Sequence, residues 1–261
     1  MATASAVQSS RRVLHTRGNW SAREDRVPSA VWLAIFWVGT AAGFGTDFHR
    51  FLHENPPAPR VVSVHAVIFT VWLLILTAQV LLVLRDRVAL HRRLGWFAAG
   101  WAVLMAIFGP WAAMAVQAKV LHTPFSDPSF LSVNIVDIGA FLILLACGIS
   151  LRKNPAAHKR MMMLSMVAIA DPGFSRFLGW LFPTLAPAGT LTGFLYFFYG
   201  NILLIALMFA WDWSRRRLMR SFVIGAVGSL AAFYFATFLY FWPPWKTLTT
   251  GWVVAWAKHF G

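Results

Sequence analysis

Long apolar runs separated by short polar segments dominate this chain. Seven of them, at residues 29–48, 61–84, 95–117, 130–151, 160–182, 190–211 and 220–242, are each long enough to cross hydrocarbon about 30 Å thick, which takes about 20 apolar residues in a helix. No run alternates with the two-residue period of a membrane strand, and backbone facing lipid must satisfy its own hydrogen bonds, so all seven are predicted as helices. The predicted fold class is all-α, a polytopic transmembrane bundle of seven helices over 29–242. A polar tail at 1–28 precedes it and an aromatic segment at 243–261 follows. In that last segment Trp245, Trp252, Trp256 and Phe260, with Lys246 and Lys258 near the ends, predict a short interfacial helix. Pro110 and Pro172 fall inside the third and fifth runs, where a kink frees a backbone carbonyl.

Composition supports the same picture. The 261 residues are 59% hydrophobic and only 12% charged, too few charges to cover a soluble domain of this size, so the lipid bilayer is the expected solvent. The net charge of +14 raises the question of nucleic acid, and its distribution answers it. Of 23 Lys and Arg residues, 17 fall before the first run or between runs two and three, four and five, and six and seven; five (Arg50, Arg60, Lys119, Lys246, Lys258) fall on the other side. That is the pattern of a topology signal, which predicts a cytoplasmic N-terminus and an outer C-terminus, with no nucleic-acid partner. The first 28 residues lack a short apolar core followed by a cleavage site and read as a cytoplasmic tail. The single cysteine, Cys147, allows no internal disulfide and is expected to pack inside the bundle.

Polar side chains at membrane depth carry the candidate chemistry. A charge at mid-bilayer costs about 2.5–3.5 kcal/mol on insertion scales, so each needs a partner. Asp137 and Arg176 sit at similar depths, roughly 10 Å from the outer end of their runs at 1.5 Å per residue, which predicts an Asp137–Arg176 pair with Asn134 and His65 close by. Asp171, next to Pro172, is placed deeper. His49 and His53, four apart on one helical face, lie with Asp47 and Glu54 in a stretch holding the residue types of a transition-metal site. His91-Arg92-Arg93 opens the third run and His158-Lys159-Arg160 the fifth, putting two imidazoles at one cytoplasmic depth.

Two chemistries fit these groups. Bis-histidine haem ligation takes two imidazoles from different helices, met by His91 with His158, and on the outer side by His65 with His122. The alternative is a transition-metal site on the outer face from His49, His53, Glu54 and Asp47. A retinal Schiff base is excluded because the last run contains no lysine, and no phosphate loop, nucleophile elbow or zinc-protease signature occurs. No complete catalytic set emerges. A non-catalytic accessory subunit of a larger membrane complex, its polar groups fixing helix register, is therefore also open.

The stretch from His65 through His91-Arg-Arg-Leu-Gly95 to His158-Lys-Arg-Met-Met162 and Arg176 resembles a bacterial family of membrane proteins. That family shares a helix-entry His, an HRRLG-like motif, an HRRWM-like motif and a later Arg; this chain carries Met161 at the usual Trp position. The family is in turn similar to the diheme b-type cytochromes that pass electrons across membranes from ascorbate-like donors. The reading that follows is an electron-transfer protein of the bacterial inner membrane, with quinone as the expected partner. The resemblance implies haem b on His91 and His158, with His65 and His122 as a second pair; Asp137 and Arg176, by their depth, are expected to line an outer cofactor pocket with His65.

Overall fold

The computed structural model describes residues 24–260; most of the tail at 1–28, His15 within it and Gly261 lie outside the described residues. Among the described residues nine helices follow one another, α1 (Arg26–His53), α2 (Arg60–Leu84), α3 (Val88–Lys119), α4 (Leu131–Ser150, led by a 3-10 turn at Pro128–Phe130), α5 (Pro155–Val167), α6 (Asp171–Leu181), α7 (Thr190–Ser214), α8 (Arg220–Phe241) and α9 (Pro243–Phe260). There is no strand among the described residues. Six of the described helices, α1 to α4, α7 and α8, are long and apolar enough to cross a membrane.

The fifth apolar run departs from its prediction as one helix. It forms two helices of 13 and 11 residues, α5 and α6, meeting at Ala168-Ile169-Ala170 just before Asp171-Pro172. A proline ring excludes the helical hydrogen bond and clashes with the preceding turn, so the chain stops and restarts here. At the break the Val167 carbonyl accepts twice, from the Ala170 N–H at 3.0 Å and from Asn201 Nδ2 on α7 at 2.7 Å. The start of α5 also lies earlier than expected. Asn154 caps it, accepting from the Ala157 N–H at 3.3 Å, with Pro155 at the first helical position, where a missing N–H costs nothing.

Apolar side chains point outward as well as inward. Val67, Val103, Ile143 and Ile224 stand exposed on four different helices, while Asp137, Arg160, Asp171, Asn201 and Asp212 are buried. A water-soluble fold distributes these types the other way round; lipid-facing helices do this. Inside, α1 packs on α6, α2 on α3, α4 on both α5 and α8, and α7 on α6 and α8, around a core that includes the stacked Phe198–Phe233 pair and the edge-on Trp72–Phe141 pair.

Glycine makes the α1–α6–α7 contact possible. A Cβ on Gly43 would lie 1.7 Å from the Gly173 oxygen, and one on Gly200 would lie 2.1 Å from the Phe174 ring. Backbones at this distance are the small-residue packing that joins helices in lipid, where no hydrophobic gain between helices is on offer. The Phe174 ring is wedged between α1 and α7, and its carbonyl accepts from Tyr199 Oη at 2.8 Å.

Two helices end alike at one end of the bundle. After α2 and after α7, Asp86 (φ 57°) and Arg216 (φ 53°) take the left-handed conformation. Arg87 and Arg217 donate back to the Leu82 and Asp212 carbonyls, both at 2.8 Å. This is the Schellman closure, usually made with glycine. Left-handed backbone costs a side-chain-bearing residue about 1–2 kcal/mol, so Arg216→Gly is expected to stabilise the protein by about 1 kcal/mol. The thermal midpoint in detergent checks this; a fall in midpoint would contradict it.

The aromatic C-terminal segment is the helix α9, docked on the end of α3 and on the turn before α4, with Trp245 Nε1 donating to the Ser129 oxygen at 3.1 Å. Cys147, expected to pack, is exposed.

Candidate functional site

The loops after α2 and α7 and the first turns of α5 meet at one end of the molecule, where ion pairs join them to residues 24–26 at the start of α1. Arg26 pairs with Asp86, Lys159 with Asp25 at 2.6 Å, and Arg217 with Glu24 at 2.6 Å. At this arginine-rich end α3 and α5 each present a histidine as their fourth residue, counting from Val88 to His91 and from Pro155 to His158. The structure brings these two together. Their ring centroids are 6.2 Å apart with the ring planes at 88°.

Each ring is held by one nitrogen. His158 Nδ1 lies 2.7 Å from the Gly148 carbonyl of α4, and His91 Nδ1 lies 3.4 Å from the Gln79 carbonyl of α2. A backbone carbonyl accepts from an imidazole, so Nδ1 carries the proton in both rings and both Nε2 lone pairs are left to act as ligands. Metal-bound histidines are oriented in the same way by their other nitrogen. Gly148 also accommodates the Met162 side chain, whose sulfur would lie 2.7 Å from a Cβ there.

Across α5 from His158, the next two residues enter a second polar network. Arg160 binds Asp212 of α7 through two parallel bonds, Nε to Oδ2 and Nη2 to Oδ1, each 2.5 Å, and Nη1 donates to the Ala156 carbonyl at 2.9 Å. Both side chains are buried, Arg160 2% and Asp212 4% exposed. Lys159 meets Asp25, which also accepts from Trp211 Nε1 at 3.0 Å. Asp212 is not among the residues singled out from the sequence. The available signal was that Asp212 is the sole acidic residue in Thr190–Ser214.

At the opposite end the predicted arrangements change partners. Arg176 does not pair with Asp137; its Nε donates to Asp47 Oδ2 on α1 at 2.9 Å, and its guanidinium stacks on Phe44. The Gly43–Gly173 contact explains this, since Asp47 lies one turn beyond Gly43 and Arg176 three residues beyond Gly173. Asp137 instead has Asp171, the first residue of α6, as a charged neighbour. Each of these two carboxyls has one buried oxygen without a partner. His65 stacks on Phe69 with centroids 4.1 Å apart and a buried, unpartnered Nδ1. His122 is exposed in the loop after α3, and no ring contact or hydrogen bond joins it to His65 among the described residues.

The outer metal set is likewise dispersed. His49 and His53 stack with centroids 4.3 Å apart, but Glu54 pairs with Lys119 at 2.9 Å, and Asp47 is held by Arg50 and Arg176. No group of three or more His, Cys, Asp or Glu suited to a metal occurs among the described residues. Compared with models of protein families, with curated proteins and with solved structures, the chain matches none of them.

Proposed function

We propose that this chain is an integral-membrane electron-transfer protein in which His91 and His158 hold one b-type haem. The observation that carries the reading is the imidazole pair. Two rings from separate helices stand 6.2 Å apart, each with Nδ1 on a backbone carbonyl. Two imidazoles supplied by separate helices are the protein's share of bis-histidine ligation, and these two would hold such a group by its iron. Two protein ligands suit a haem, whose porphyrin supplies the remaining four nitrogens; a structural zinc site takes four from the protein. When bound, such a haem supplies one-electron transfer at its iron.

The residues of the chain set its conditions. The Gly148 and Gln79 carbonyls fix tautomer and ring direction, which raises the basicity of Nε2. Arg92, Arg93 and Lys153 lie on the same end and offer charge to acidic groups of a cofactor. A second haem on His65 and His122 has no comparable support. The arginine-rich end faces the cytoplasm by the positive-inside rule, and α5 with α6 makes a seventh, broken crossing, its irregular backbone shielded by protein.

The test is a reduced-minus-oxidised visible spectrum with a pyridine haemochrome assay on the detergent-purified protein, made with haem supplied during expression. About one haem per chain is expected, lost in His91→Ala and in His158→Ala and kept in His122→Ala. A featureless spectrum from folded, haem-supplied protein would overturn the reading.

A further inference from the structure

A cavity of about 390 Å³ opens between α1, α5 and α7 at the arginine-rich end, on the far side of α5 from His158. Its volume falls in the range of small-molecule sites. Trp32, Met163, Met208 and Trp211 form its walls, and Lys159, Arg160 and Asp212 its polar floor. Val27 and Val31, 71% and 52% exposed, stand at its apolar mouth.

The floor is built and electrically balanced. Arg160 is tied to Asp212 and Lys159 to Asp25, so no unmatched cation waits for an anionic headgroup, and a desolvated anion would find no net attraction there. Donors remain all the same. Arg160 has five N–H groups and Lys159 three. Three of the former and two of the latter are engaged, the weakest being Lys159 to Ser29 Oγ at 3.5 Å. The cavity therefore suits a neutral molecule with a flat apolar ring, carbonyl oxygens to accept from those N–H groups, and an apolar tail for the valine-lined mouth. Aromatic and methionine walls favour a planar ring.

We propose that this cavity binds the ring of a lipid-soluble quinone. From the proposed function it takes only the membrane setting, and it does not depend on haem. The site lies about one helix diameter, roughly 10 Å, from the imidazole pair.

The full-length protein in lipid nanodiscs is irradiated with an azido-substituted short-chain quinone, and the adducts are mapped by mass spectrometry. Adducts are expected on the cavity-lining segments of α1, α5 and α7, and a hundredfold excess of unlabelled short-chain quinone is expected to remove them. Met208→Trp, which fills the cavity, should lower labelling at least tenfold, while Ile143→Trp on the exposed face of α4 should not. The wild-type map stands by itself if Met208→Trp fails to fold. Adducts confined to other helices, adducts that survive competition, or displacement by anionic lipid rather than by quinone would each overturn the proposal. Haem content of the same samples reports separately on His91 and His158, so either reading can fail while the other stands.

Discussion

Replacing Asp212 by alanine is expected to destabilise the protein by about 3–5 kcal/mol, the usual cost of leaving one partner of a buried pair alone. Among the described residues Arg160 meets no other anion: Nε and Nη2 both go to Asp212, and the remaining bond is to a carbonyl of its own helix. At 2% exposure the guanidinium stays largely desolvated when the carboxylate is lost. The same logic gives the second half of the prediction. Arg160→Met combined with Asp212→Leu removes both charges together and is expected to recover most of the loss, because apolar pairs of similar volume often match or exceed a buried ion pair. Thermal or denaturant unfolding of the single and double variants in one detergent decides it. A single variant as stable as the wild type, or a double variant no better than Asp212→Ala, would contradict this account of the α5–α7 contact.

Gly43→Val is the second large effect. The first atom added meets the Gly173 carbonyl at 1.7 Å, a backbone atom that cannot rotate away, so α1 and α6 must separate. Ordinary overpacking costs about 1–3 kcal/mol; forcing two helices apart is expected to exceed that. It should also break the Asp47–Arg176 bond, which depends on the same approach. Gly45→Val is the control, since a Cβ there meets nothing within 4 Å, and it is expected to stay within about 0.5 kcal/mol of wild type. The comparison is read from the yield of monodisperse protein and its unfolding midpoint. Equal behaviour of the two variants would mean that the glycine seam does not hold the bundle.

Much of this architecture was legible because apolar length is a one-dimensional signal. Six of the seven apolar runs correspond to helices long enough to cross a membrane, and His91 with His158 could be paired because both open a helix at the same end. Partner choice was less legible. Asp137 and Arg176 agree in depth, but depth along a helix says nothing about the direction in which a side chain points around it. That direction was set by Gly43 and Gly173, whose closeness turns Arg176 towards Asp47. The break between α5 and α6 was half visible in Pro172; its other half, the donor Asn201 on α7, is more than 30 residues away in sequence. The Arg160–Asp212 pair was not legible because Asp212 lies just past the expected end of the sixth run, 52 residues from Arg160.

The exposed thiol of Cys147 gives the protein a built-in address. It is the one cysteine in the chain, it faces outward, and the carbonyl of the next residue, Gly148, holds His158. A nitroxide attached there needs no cysteine-free background and reports from beside the imidazole pair. Its relaxation would quicken next to an oxidised, paramagnetic iron and return on reduction, turning a packing detail into a direct readout of the electron count at that site.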